Sequence, residues 1–114
     1  MGTKDDKLTG ASSISAQELQ DRLTPLGDIR IRKMFGGHGV FEEDTMFALI
    51  DSQGGIFFKA DDTNVQLFET AGSEKHGRMP YYQVPRDVLA DDKVLLEWAR
   101  SSISVSKKTK RKKK

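Results

Sequence analysis

The stretch Arg32-Lys33-Met34-Phe35-Gly36-Gly37-His38-Gly39-Val40-Phe41 decides the fold of this chain. Strand-forming residues run into a glycine cluster and emerge as strand formers again. Just upstream, Ile29, Ile31 and Phe35 alternate with Arg30, Arg32 and Met34, the period of two expected of a half-buried strand. Lys33 breaks the apolar face. The Gly36-Gly37 pair ends or bends this strand, and a second short strand is expected over about 38–42. Glu43-Asp44 then makes a tight turn. Residues 45–50 are mostly apolar without alternation, as in a central strand covered on both faces. Ser52-Gln53-Gly54-Gly55 is the next turn, and Ile56 to Ala60 the next strand. Three consecutive short connections make an antiparallel meander.

Helical patterns flank the meander. Ser15-Ala16-Gln17-Glu18 reads as a capping box, with Ile14 and Leu19 placed for a hydrophobic staple. Leu19 and Leu23 mark the buried stripe, and Pro25 stops the helix near Thr24. Downstream, Asp61 or Asp62 is expected to cap a second helix that buries Val65, Phe68 and Ala71 and ends at Gly72. A polar loop over 73–78 leads to a last strand, Tyr81 to Val84. Pro85 and then Asp91-Asp92 open further helix, with Leu95, Trp98, Ala99, Ser102 and Ile103 along one face. The order α-β-β-β-β-α-β-α predicts an α+β, two-layer domain: an antiparallel sheet of four to five strands with helices packed on one face. Its expected core is Leu19, Leu23, Ile31, Phe35, Phe47, Leu49, Phe58, Phe68, Leu95 and Trp98. Residues 46–50 and 56–58 are apolar on both strand faces, so part of the second face is expected to be closed either by another copy of the chain, as a homodimer, or by flanking loops.

Composition narrows the class. The 114 residues are 36% hydrophobic and 32% charged, enough for one domain. Polar residues concentrate at the ends: 1–13 read as a disordered segment, 14–104 as the domain, and 105–114 as a disordered basic tail. No apolar run approaches a membrane span, and the first ten residues lack a signal-peptide core, which fits a cytoplasmic protein. There are no cysteines and hence no disulfide or thiolate chemistry. The net charge of +2 conceals a split. Residues 107–114 hold seven Lys/Arg and no acid, whereas residues 1–106 hold 12 basic and 17 acidic residues, a net −5. An acidic body with a basic tail is not the pattern of a basic DNA-reading domain.

Five separated segments, in order, resemble the N-terminal domain of the TfoX/Sxy family of competence-gene regulators. They are Arg32 to Gly37, Met46-Phe47-Ala48, Ile56-Phe57-Phe58-Lys59 with Asp61-Asp62 after it, Met79 to Pro85, and Leu95-Leu96-Glu97-Trp98-Ala99. The resemblance covers roughly residues 14–104. It implies the family's α+β fold and a regulatory setting in DNA uptake rather than a chemistry. Two features depart from the family pattern. Ser73-Glu74-Lys75-His76-Gly77-Arg78 stands where many members have an apolar-aromatic strand, and the lysine-rich tail stands where full-length regulators have a second, helical domain.

The residues that could carry chemistry read mostly as structure. Gly36-Gly37-His38-Gly39 feeds a strand rather than a helix N-terminus, so a turn or bulge explains it better than a phosphate cradle. His38 and His76 lack any recognised metal-ligand spacing. No Ser/His/Asp or Cys/His arrangement is visible, and both Asp pairs sit where helices begin. Tyr81 and Tyr82 should point to opposite faces of their strand; a base-stacking role is the sharper alternative to packing. Arg30 and Arg32 share one strand face and Lys33 the other. With Gly36 and Gly37 they form the candidate interaction surface. Lys107, Lys108, Lys110, Arg111, Lys112, Lys113 and Lys114 form a candidate nucleic-acid tail that would bind phosphates without reading bases. The sequence therefore predicts a non-catalytic regulatory or adaptor domain with no metal or cofactor and a protein partner. The alternative is a nonspecific nucleic-acid-associated protein anchored by its tail.

Overall fold

Two-residue turns impose the architecture. The computed structural model describes residues 3–34 and 36–112, with side chains from 11 to 108 except at position 35. Strands β1 (Ile29–Met34), β2 (Gly37–Glu42), β3 (Thr45–Ile50), β4 (Ile56–Lys59) and β5 (Tyr81–Gln83) pair antiparallel in chain order. Met34 pairs with Gly37 and Glu42 with Thr45, so each of the first two hairpins turns on two residues. At the second, Glu43 supplies the left-handed backbone such turns require, with φ 59°. The β3–β4 turn is held by Asp51, whose Oδ1 accepts the amides of Gln53 (3.0 Å) and Gly55 (2.7 Å).

Helices α1 (Thr3–Arg22) and α4 (Asp92–Lys112) lie on one face of the sheet, against β2, β3 and β4; α2 (Val65–Thr70) and the single turn α3 (Arg86–Leu89) complete the layer. The centre of the interface is apolar. Leu19 and Leu23 from α1, Phe47 and Phe58 from the sheet, Phe68 from α2 and Leu95 from α4 are all fully buried. Phe47 and Phe58 are tilted neighbours at 6.1 Å, and Trp98, half-buried, meets Phe68 edge-on at 4.9 Å. Asn64 is a buried polar knot. It accepts the Asp61 amide (2.8 Å) and donates to Ser101 Oγ (3.2 Å), tying the start of α2 to α4.

The structure departs from the sequence reading at the start of α2, where Asn64 stands as N-cap instead of Asp61 or Asp62, at Ala71, which is exposed, and in four larger places. First, α1 begins at Thr3, so residues 3–13 are helical and Ser15 lies inside the helix rather than capping it. The reason is tertiary. Ser12 Oγ lies 2.7 Å from His38 Nδ1, and Ser15 Oγ donates to the Gly54 carbonyl at 2.9 Å. A serine hydroxyl engaged by the sheet no longer competes for its own backbone. Second, α4 runs to Lys112, and Val105 and Ser106 are buried, so the folded domain reaches past residue 104. Third, Leu49 belongs to the opposite face of the sheet, in a second cluster with Phe57 and Tyr81. Tyr82 turns to the helix side, 5.7 Å from Phe68, which is the alternation expected of the pair. Fourth, the 73–78 segment is not plain loop. Lys75 bridges Tyr82, and the Gln83 amide donates to the Glu74 carbonyl at 2.9 Å. The expected core position Phe35 lies outside the described residues.

Phe47 sits at the centre of the buried layer with no exposed surface. Phe47→Ala should lower unfolding free energy by about 3–5 kcal/mol in urea denaturation, the cost of emptying a fully packed aromatic site.

Candidate functional site

The Gly36-Gly37 pair has a structural explanation. Gly36 takes φ +79°, a left-handed turn conformation. Gly37 begins β2 so close to β3 that a Cβ there would collide with the Ile50 carbonyl oxygen. The pair therefore closes the hairpin and brings its tip onto the end of β3. No helix N-terminus lies at this turn to favour an anion.

Of the basic residues on β1, Arg30 pairs locally with Asp28 at 3.0 Å, both side chains exposed. Arg32 lies over the Phe41 ring, 5.3 Å from its centroid, on the face away from α1 and α4. Lys33 points to the opposite face, beside His38. Burial and the Lys33 charge hold the His38 imidazole below its ordinary pKa, burial being the larger cause. The five residues of the candidate surface thus share one hairpin but not one face.

Ser12 and His38 form the hydroxyl–imidazole pair that the sequence does not reveal, because 26 residues separate them. The geometry is not that of a nucleophile. Ser12 has no exposed surface, so its oxygen cannot reach a substrate; the pair pins α1 to β2. Among the described residues no group of three or more His, Asp or Glu side chains is gathered to hold a metal. No helix of the described residues is long and apolar enough to cross a membrane.

An apolar concavity lies on the sheet face that α1 and α4 leave open. Loop 73–80 folds back over this face, setting the His76 ring edge-on to Phe57 at 4.8 Å. Between the loop and the β1–β2 hairpin lies a cleft of about 520 Å³. Met46 and Leu49 line its floor, Met34 and Gly37 one wall, His76 and Met79 the other. Met79 is 44% exposed at its lip. The sequence reading missed this site. Its signal was present, since Met34, Met46 and Met79 each sit in a different one of the quoted motifs, but only the folded sheet brings them together. Tyr81 closes the base of the cluster, and burial pushes its phenol up to about 12.

The tail begins inside the fold. Lys107 Nζ lies 2.7 Å from Glu42 Oε1 and 3.9 Å from Glu43 Oε1. The hydrogen bond to nearly buried Glu42 raises the Lys107 pKa above its ordinary value. Lys107 is therefore engaged by the domain, whereas Lys108 is exposed. The side chains of Lys110, Arg111, Lys112, Lys113 and Lys114 lie outside the described residues.

A meander closed by a Gly-Gly hairpin, backed by two helices and opening a methionine-lined cleft on its other face, defines a small open-sheet α+β module. The TfoX N-terminal domain model matches residues 21–106, and the chain belongs to that family. No curated protein matches the chain. The match ends at Ser106, taking in the buried Val105 and Ser106 that the sequence reading assigned to the tail.

Two measurements test this geometry. The folded His38 pKa is depressed, so its contribution to stability is present above the ordinary histidine range and is lost as pH falls through the folded value. Lys33→Ala should move the His38 titration upward when followed by NMR of its ring protons; an unchanged midpoint would show that Lys33 does not reach the imidazole. Tyr81 and Lys107 have raised values, so their contributions are full below the unfolded pKa values and are lost as pH climbs through the folded ones. Stability should therefore fall between pH 10 and about 12, with the Tyr81 phenol ionising near the top of that range by ultraviolet absorbance.

Proposed function

We propose that this chain is a non-catalytic regulatory or adaptor domain that works in the cytoplasm on the expression of DNA-uptake genes, through contacts with another protein. The observation that carries this reading is the cleft on the helix-free face: an open, mostly apolar, methionine-lined surface whose titratable groups are His76, His38, already paired with Ser12, and Asp51, already accepting two turn amides. Membership of the TfoX N-terminal family supports the competence setting. The wholly buried Ser12 supports the non-catalytic reading, since the one hydroxyl–imidazole pair described here cannot meet a substrate.

A second reading is favoured by the charge of the C-terminus: nonspecific anchoring on nucleic acid. With Lys107 held by Glu42, six of the seven tail cations remain for phosphates, which would give a salt slope of log affinity near roughly −5 on duplex DNA. The two readings separate in one experiment. DNA and RNA binding is measured across a salt series for the intact chain and for a chain ending at Lys108, a boundary that leaves Val105, Ser106 and the Lys107–Glu42 pair in place. The shortened chain should show no affinity at low salt. Sequence-preferring binding by the shortened chain would overturn the adaptor reading, because a body of net −3 lacks the basic surface of a DNA-reading domain. In the host, deletion of the gene should lower transcripts of DNA-uptake genes; unchanged transcripts would remove the regulatory part.

A further inference from the structure

We infer that the acidic turn joining β2 to β3, Glu42-Glu43-Asp44, is an internal competitor for the basic end of α4 and holds down its affinity for nucleic-acid phosphates. The inference rests on the nucleic-acid reading of the C-terminus and specifies how that surface is regulated. Two observations carry it, one of position and one of charge.

The position is set by α4. The helix is continuous from Asp92 to Lys112, and the buried Val105 and Ser106 seat it on the domain just before the basic run begins. The first cation of that run is thereby fixed beside the turn. Lys107 Nζ lies 2.7 Å from Glu42 Oε1 and 3.9 Å from Glu43 Oε1. Asp44 adds to the negative field at Lys107.

The charges explain why the contact matters. Residues 34–58 contain no Lys or Arg, so the turn's own hairpin does not neutralise it. Arg30 and Arg32 of β1 border Glu43, but Arg30 is held by Asp28 and Arg32 lies over the Phe41 ring. Among the described residues, Lys107 is the cation found in ion pairs with the turn. The Glu42 side chain is only 10% exposed, so a phosphate that took Lys107 away would leave a nearly buried carboxylate without its counter-charge. A phosphate that leaves the pair in place meets Lys108 with uncompensated acid close behind it. The screening length is about 8 Å at physiological ionic strength, which spans about five residues of helix. The turn therefore weighs most on the root of the run, Lys107 and Lys108.

The test measures affinity for a short DNA duplex by fluorescence anisotropy across a salt series. It compares the intact chain with Glu43→Gln/Asp44→Asn and with Glu74→Gln/Asp87→Asn, which removes the same charge from loop 73–80 and α3. The turn variant should bind about fivefold more tightly at low salt, with a steeper salt slope, and the second variant should change affinity less than about twofold. Lys107→Gln should cost less affinity than Lys108→Gln, because the Lys107 charge is already answered. That comparison decides the matter should the turn variant fail to fold. Equal gains in the two double variants would reduce the effect to net charge and overturn the inference, while the nucleic-acid reading stands. A loss for Lys107→Gln equal to or greater than that for Lys108→Gln would place Lys107 on the phosphate side and likewise overturn it. If the intact chain and the turn variant both fail to bind at low salt, the nucleic-acid reading falls and takes the inference with it.

Discussion

The structure depends on one mismatch. Strands β3 and β4 are apolar on both faces, yet the helices cover only one. On the helix side the solution is conventional: Phe47, Phe58 and Leu95 share an apolar layer, and burial of these large side chains is the main stabilising term. On the other side Leu49, Phe57 and Tyr81 must also leave water without a second helical layer. The chain meets this with loop 73–80, which lies across β4 and β5 through a single bridge and the His76–Phe57 ring contact. Because the loop covers only part of the face, what remains is the cleft. The site is thus a by-product of how this domain economises on layers, which is why it is lined with residues that otherwise belong in a core.

Much of the architecture was legible because local signals agreed with one another. Two-residue turns, β-forming runs and glycines at the hairpin tip all pointed to the same meander, and the strand order follows directly. What failed to show in the sequence was tertiary in origin. The start of α1 depends on Ser12 and Ser15 reaching His38 and Gly54, partners 26 and 39 residues away. Serine near a helix start is ordinarily a cap, and no local pattern distinguishes a cap from a hydroxyl bonded across the core. The end of α4 was hidden for the opposite reason: a run of lysines outweighs the two buried residues, Val105 and Ser106, that continue the helix onto the sheet.

The candidate site was legible only in fragments. Reasoning from charge chose Arg30, Arg32 and Lys33, yet in the structure Arg30 is satisfied by Asp28 and Lys33 turns to the helix side. Reasoning from hydropathy gave the methionines no part in the core or in a site. Neither could foresee that three of them converge, because Met34, Met46 and Met79 lie on β1, β3 and the loop before β5. Arg32 links the two accounts, standing on the face of the cleft while belonging to the strand that sequence reasoning singled out.

An open sheet has two borders, and each is a template on which another chain could add a strand. Here one border, β5, is only three residues long, with Lys75 already bridged to Tyr82 beside it. The other, β1, is six residues long and carries Arg30, Arg32 and Lys33 in exposed positions. To pair two copies antiparallel through β1 would bring like charges face to face. The basic run on β1 therefore works against two copies joining their sheets through this border, even though one sheet face is left half-covered.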